Sequence, residues 1–227
     1  MSLTMYGFIG VGLRFVSRAE RYVEKCRSPG IKAYASYFIG LAYYFAGRLG
    51  RAREVLADAQ AKLEKYAHWS NLSATHALYI VSGALGDTEN ELAMAAKEIT
   101  LGEQTDNAMA RSWGEFGSAN AMARSGRIEE AIVRSERAVE LSARWESGYT
   151  YSRIVAARVR GFVLLQASRY ADARVACEES RRLLIGSPFQ TDLTLSVYAF
   201  LAESIMGPNW SAPPGTLDRR DLESTQR

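Results

Sequence analysis

Cysteine, histidine and proline are scarce in this chain of 227 residues, and each scarcity removes a class of fold or site. Cys26 and Cys177 are its two cysteines, and they lie far apart. We interpret both as small apolar residues on the buried sides of helices, which argues against a disulfide-rich secreted fold and fits a reducing cytoplasm. The two histidines, His68 and His76, have no cysteine or carboxylate at a metal-ligand spacing, so we predict no metal site.

Long apolar segments and nucleotide-binding motifs are missing as well. No run approaches the roughly 18 uncharged residues that a membrane span requires, so no membrane partner is predicted. Lysine never follows glycine, which rules out a phosphate-binding P-loop. The formal net charge is only +3, and the positive residues are mixed with negative ones instead of forming a stripe. Direct binding of nucleic acid is therefore not predicted.

Adjacent carboxylates are the remaining candidates for catalysis, at Glu129-Glu130 and Glu178-Glu179. Neighbouring side chains on a helix diverge by about 100°, which argues against joint acid-base action. Arginines follow two helix glutamates at a distance of four residues, in the pairs Glu130–Arg134 and Glu140–Arg144, and this order is typical of a solvent-exposed face. We therefore predict a protein that is not an enzyme and that binds no cofactor.

Proline divides the chain into a long helical body and a short tail. Pro29 is the only proline before residue 188, whereas four prolines follow from that point onward. No alternation of β-branched residues long enough for a strand occurs. We predict one helical domain over residues 1–206, with at least nine helices, and a flexible proline-containing tail over residues 207–227.

Apolar residues three and four apart recur in eight segments of the body, which pair into four helix hairpins. Glycine or serine stands in each hairpin turn, at residues 47, 86, 126 and 168, where a left-handed or tight turn must end the first helix. At least one further helix in Thr4 to Cys26 precedes the hairpins, and a lone helix from Asp192 to Met206 follows them. The paired segments are Ala33–Ala46 with Arg51–Tyr66, Leu72–Leu85 with Thr88–Leu101, Ala110–Ser125 with Ile128–Arg144, and Ser152–Ala167 with Ala171–Leu184.

Small residues recur at matching places in these hairpins. In the first hairpin, Ile39-Gly40 and Tyr43 occupy the Leu-Gly and Tyr positions of the tetratricopeptide pattern. The small-large-small positions of the second helices are Ala52, Leu56 and Ala59, then Ala131, Ser135 and Ala138, then Ala173, Cys177 and Ser180. In the second hairpin we expect the register to slip by one residue, with Leu92, Ala96 and Ile99 in those places. The alanine-like position then recurs at residues 52, 92, 131 and 173.

On these residues the sequence resembles the tetratricopeptide-repeat (TPR) family. The spacing of 39 to 42 residues is similar to the long-period helical repeats of large bacterial ATPase-linked regulators. The resemblance implies an all-α fold, a right-handed α-solenoid of antiparallel helix hairpins, because no single hairpin can bury its own apolar face. It also implies a concave surface lined by the first helix of each hairpin.

Carrying the family's concave positions onto this chain gives a candidate groove that joins aromatic rings to polar groups. Aromatic anchors beside asparagine and arginine suit an extended peptide, although aromatic residues at helical spacing are also typical of a core. The transferred positions are Tyr34, Tyr37, Leu41, Tyr44 and Phe45, then Trp113, Phe116, Asn120, Ala123 and Arg124, then Val155, Arg158, Phe162, Leu165 and Gln166. The predicted binding residues among them are Tyr34, Tyr37, Tyr44, Trp113, Phe116, Asn120, Arg124, Arg158 and Phe162.

These features together favour a non-enzymatic scaffold that binds a protein or a peptide. An excess of arginine over lysine, 23 against 5, suggests a GC-rich genome, and we expect a cytoplasmic interaction or sensor region of a larger bacterial regulatory protein. The alternative is a small-molecule or signalling-peptide sensor domain that controls a transcription regulator or a signalling enzyme. A repeat array also needs polar caps at its ends, so the apolar terminal helices predict self-association as a homodimer.

Overall fold

Every regular element in the described part of the computed structural model, residues 9–66, 70–144, 150–185, 187 and 190–207, is a helix. This confirms the all-α prediction and the expected number of helices. None of these helices is long and apolar enough to cross a bilayer. The ten helices are α1 Ile9–Glu24, α2 Pro29–Phe45, α3 Leu49–Lys65, α4 Asn71–Ala84, α5 Thr88–Gln104, α6 Ala108–Arg124, α7 Ile128–Ala143, α8 Thr150–Gln166, α9 Tyr170–Leu184 and α10 Gln190–Met206.

The predicted hairpin turns have the left-handed backbone that ends a helix sharply. Gly47, Gly86, Gly126 and Ser168 have φ values of 73°, 72°, 78° and 57°. After each of them, the next backbone N–H donates to a carbonyl five residues earlier at 2.9 Å, the hydrogen bond that defines a Schellman cap. The sequence analysis missed a fifth such turn at Asp106, with φ 48°, which joins α5 to α6 as tightly as the two helices of one hairpin are joined.

Small residues allow the paired helices to approach closely. A Cβ atom on Gly40 would lie 2.5 Å from Cγ of Leu56, and one on Gly161 would lie 2.4 Å from Sγ of Cys177. Ala52, Ala131 and Ala173 are each 0% exposed. The register predicted for the first, third and fourth hairpins is therefore confirmed.

The register predicted for the second hairpin is wrong. Ala96 is exposed, and Leu92 and Ile99 are only half-buried. The buried positions are one residue earlier, at Glu91, Ala95 and Glu98, which are 1%, 0% and 0% exposed. A search for small apolar residues passes over glutamates, so the pattern shifted to the nearest apolar side chains.

The two cysteines and the helix ion pairs are arranged partly as predicted. Cys177 is buried and Cys26 is only half-buried, and neither forms a disulfide. The pair Glu140–Arg144 is present, but Arg127 binds Glu130 instead. Arg134 reaches across to the buried Glu115 of α6 at 2.9 Å, since a desolvated carboxylate attracts it more strongly than an exposed one.

The hairpins stack so that the first helix of each pair lies beside the first helix of the next. Contacts between consecutive helices are supplemented by contacts of α2 with α4, α4 with α6, α6 with α8, and α8 with α10. Helix α10 adds to this layer by burying Val197 and Leu201. The even-numbered helices thus form one side of a solenoid, as predicted. The expected tail lies outside the described residues apart from Gly207.

Candidate binding groove

The even-numbered helices, together with Glu91 of α5, line an open cavity of about 610 Å³, which we name the central pocket. Its apolar lining comes chiefly from α2, α4, α6 and α8, and its polar lining includes two arginines and a carboxylate. The apolar members are Leu41, Tyr44, Phe45, Ile80, Ala84, Phe116, Tyr151 and Val155, and Gly83 adds backbone. The polar members are His76, the hydroxyl-bearing Tyr79, Glu91, Asn120, Arg124, Arg158 and Ser196.

An ion pair between Glu91 on α5 and Arg124 on α6 forms one polar part of the pocket. Glu91 is 1% exposed, and burial raises the pKa of its carboxyl group while Arg124 opposes that rise. The amide of Asn120 donates to Oη of Tyr79 at 3.4 Å. Burial, together with the nearby charge of Glu91, raises the pKa of the Tyr79 phenol, so this hydroxyl stays protonated.

A second polar pair lies deeper, between His76 on α4 and Glu98 on α5. Nδ1 of His76 is 2.8 Å from Oε1 of Glu98, which is 0% exposed. Burial raises the pKa of the Glu98 carboxyl group, and His76 opposes that rise. Within the described part of the chain, Nε2 of His76 and Oε2 of Glu98 have no hydrogen-bond partner.

Aromatic rings surround the His76 imidazole. Ring centroids lie 4.3 Å away for Trp113, 5.6 Å for Tyr79, 5.8 Å for Phe116 and 6.4 Å for Tyr151. Tyr79 and Trp113 present their faces at shallow angles, whereas Phe116 and Tyr151 meet the imidazole edge-on. These contacts fix the orientation of the imidazole. His76 is also one of the residues that line the pocket.

No family model matches the sequence, and no curated protein does either. Solved structures do match it. One is the crystal structure of a Podosopora anserina putative kinesin light chain with nearly identical TPR-like repeats, at 18% identity and a TM-score of 0.62 over 80% of this chain and 90% of that one. A variant of the same protein matches at 17% identity and a TM-score of 0.64, over 80% of this chain and 89% of that one. This chain has the fold of a TPR-like solenoid.

Five of the nine predicted binding residues line the central pocket of this TPR-like fold. They are Tyr44, Phe116, Asn120, Arg124 and Arg158. The sequence pattern therefore brought residues from three separate hairpins to one surface, because equivalent positions of stacked repeats face the same way.

The other four predicted residues lie outside the central pocket. Trp113 is 5% exposed, and its Nε1 donates to Oγ of Ser152 at 2.7 Å. Phe162 is half-buried, with its ring centroid 5.3 Å from that of Phe200. Tyr34 and Tyr37 are half-buried, with ring centroids 6.5 Å apart. The packing of these aromatic rings matches the core alternative left open by their spacing.

The second hairpin supplies most of the pocket residues that sequence reasoning missed. His76, Tyr79 and Glu91 all belong to it, and the slipped register concealed them. With the observed register, the alanine-like position falls at residues 52, 91, 131 and 173. The same intervals place His76 level with Phe116 and Arg158, so the repeat spacing held the signal that would have found it.

The described residues contain no group of three or more His, Cys, Asp and Glu side chains arranged to hold a metal ion. His68 lies outside those residues. His76 is a structural histidine in one respect, since Nδ1 is paired with Glu98. His76 also belongs to the lining of the central pocket.

Proposed function

We propose that this chain is a non-enzymatic protein- or peptide-binding scaffold, the cytoplasmic interaction region of a bacterial regulatory protein. The observation that carries the proposal is the central pocket on the side formed by the even-numbered helices. There, Tyr44 and Tyr151 supply aromatic surface beside the polar groups of Asn120 and Arg158. Aromatic anchors next to amide and guanidinium donors are the usual composition of a peptide-binding surface.

The buried ionisable groups of the described chain, in the pocket and outside it, support binding over catalysis. The carboxylate of Glu91 is held by Arg124, and that of Glu98 is held by His76, so each acid has a structural partner. The buried thiol of Cys177 has a pKa raised to about 12, mainly by burial, which opposes formation of a nucleophilic thiolate.

The test is selection of peptides by phage display on the whole chain, followed by affinity measurement with a labelled peptide. Truncation of an aromatic anchor that contributes about 1–2 kcal/mol weakens binding roughly five- to thirtyfold, and we expect a loss of affinity in this range for Tyr44→Ala. The matched control is Val175→Ala, because Val175 lies on the outer helix α9 and is 69% exposed. Loss of affinity in the control with none in Tyr44→Ala would place the partner elsewhere and overturn the proposal.

A second candidate function is a small-molecule or signalling-peptide sensor domain that controls a transcription regulator or a signalling enzyme. Two observations favour it. The pocket volume of about 610 Å³ falls within the range of small-molecule sites. One of the residues that line it, His76, also has a buried nitrogen without a partner in the described structure.

A further inference from the structure

Two buried glutamates stand where the other repeats have alanine or serine. Glu91 occupies the position of Ala52, Ala131 and Ala173, and Glu98 occupies that of Ala59, Ala138 and Ser180. Space for Glu91 comes from Gly83, where an added Cβ would lie 2.9 Å from Oε1 of Glu91. Burying a carboxylate is unfavourable without a partner. The second hairpin therefore departs from the packing rule of the array in order to place charge beside the pocket.

Among the residues that the structure describes, the charged side chains lining the pocket include one cation that forms no ion pair. Arg124 pairs with Glu91, and His76 pairs with Glu98. Arg158 also lines the pocket, and no carboxylate in the described part of the chain forms an ion pair with it. Its buried Nε has no hydrogen-bond partner there either. A ligand with one negative charge would satisfy this arginine.

The nitrogen Nε2 of His76 marks a second contact for that ligand. His76 is 7% exposed, so an unmet hydrogen bond at Nε2 is costly. Because Glu98 holds Nδ1, the imidazole cannot turn to satisfy Nε2 without losing its partner. His76, a residue of the pocket lining, thus carries a buried polar atom fixed in place by the fold, beside the rings of Phe116 and Tyr151.

We propose that the central pocket binds a small organic monoanion with an apolar ring body. Arg158 binds the acid group, Tyr151 packs against the body, and Nε2 of His76 hydrogen-bonds to a polar atom of the ligand. The site rests on the groove assigned under the proposed function, but it requires no peptide. Its occupant is a small acid, and the carboxyl end of a peptide is an alternative outcome of the test.

The test compares two fluorescent probes with the same ring body and different charge. The anionic probe is 8-anilinonaphthalene-1-sulfonate, and the neutral one is N-phenyl-1-naphthylamine. We expect one anionic molecule per chain, bound at least about tenfold more tightly than the neutral probe, since hydrogen bonds to a charged group are stronger than those between neutral groups. Equal affinities for the two probes overturn the proposal.

Variants of helix α8 assign the effect to one side chain. Arg158→Gln should weaken the anionic probe about tenfold and leave the neutral probe within about twofold, whereas Arg158→Lys should retain most of the affinity. The control is Arg153→Gln, an exposed arginine of the same helix outside the pocket. Coincident thermal melts of all variants exclude unfolding as the cause. Equal weakening by Arg153→Gln overturns the assignment.

Nitrogen NMR tests the contact at His76 separately. The chain has two histidines, so a His68→Gln variant leaves a single imidazole to observe. Addition of the anionic probe should move the Nε2 resonance and leave the Nδ1 bond to Glu98 in place. No movement of Nε2 at saturation overturns the proposed site.

Experiments with the selected peptides distinguish this inference from the proposed function. If a selected peptide with a free carboxyl end displaces the probe and loses affinity in Arg158→Gln, the pocket takes the peptide terminus, and the small-acid inference fails. A selected peptide that binds through Tyr44 and ignores Arg158→Gln supports the scaffold alone. Binding of the anionic probe without any selected peptide supports the pocket and counts against the scaffold.

Discussion

Single residues at the centre of the array link the stability of this chain to pH. Glu98 is fully buried against His76 and lies near the phenol of Tyr79, and burial raises the pKa of its carboxyl group. The folded state therefore binds this proton more tightly than the unfolded state does. The contribution to the free energy of unfolding is complete below the ordinary pKa of glutamate and is lost as pH rises through the raised value.

Replacing Glu98 by glutamine should remove that loss. Glutamine retains a hydrogen-bonding oxygen for His76 but cannot ionise. We compare the melting temperature of Glu98→Gln with that of the unmodified chain. The difference, variant minus unmodified, should become more positive as pH rises from about 4 to about 8. The measurement is thermal unfolding across that range, with the exposed Glu103→Gln on the same helix as control. A difference that stays constant, or that falls as pH rises, contradicts the account.

The buried glutamates also show what the sequence could not predict at this scale. The favourable partners of Glu98 and Glu91 lie 22 and 33 residues away along the chain. A periodic pattern ranks each residue by its own polarity, so it treats a glutamate as exposed. Only the assembled hairpins bring His76 and Arg124 close enough to compensate for burial.

Helix pairing depends on register, and the second hairpin offers a direct test of it. Ala95 is 0% exposed, and an added Cβ on Gly117 would lie 3.2 Å from its Cβ. Ala96, the next residue, is exposed. A leucine at either position has the same helix propensity, so only packing distinguishes the two variants.

We expect Ala95→Leu to lower the free energy of unfolding by about 1–3 kcal/mol, because it overpacks the contact between α4, α5 and α6. Ala96→Leu should change it by less than about 0.5 kcal/mol, as is usual for exposed sites. Chemical denaturation of both variants provides the comparison. A larger loss of stability in Ala96→Leu than in Ala95→Leu would contradict the observed register and support the one that the sequence pattern predicts.

At the scale of elements, local signals predicted most of the fold. The turns at Gly47, Gly86, Gly126 and Ser168 follow from short-range chemistry, and each of them ends a helix in the structure. The turn at Asp106 was missed, because a non-glycine residue with positive φ has no strong local signature. The pocket was predicted only in part, since its polar centre depends on contacts between hairpins.

The whole molecule presents an apolar stripe at its first described helix. Val11, Phe15 and Tyr22 lie on one face of α1 and are 47%, 58% and 61% exposed. At the other end, α10 buries Val197 and Leu201 against its neighbours. A repeat array is insoluble or associates when a terminal apolar face lacks cover.

We therefore expect a homodimer formed through α1. Phe15→Glu should shift the mass measured by sedimentation from two chains toward one, because a charge cannot be buried in that contact without a partner. The control is Val133→Glu on the outer helix α7, where Val133 is 65% exposed. A single-chain mass for the unmodified protein at all concentrations contradicts the expectation.

The central pocket has a mechanical consequence, because its apolar wall is made by four successive hairpins and not by a single hairpin. Its width is set by the tilt between neighbouring repeats, and small tilts of one sign add along a stacked array. An occupant that draws α4 and α8 together by a fraction of an ångström would swing the two ends of the chain through a larger arc. A partner bound at α1 would then change its orientation relative to the rest of the array when the pocket, several repeats away, is occupied.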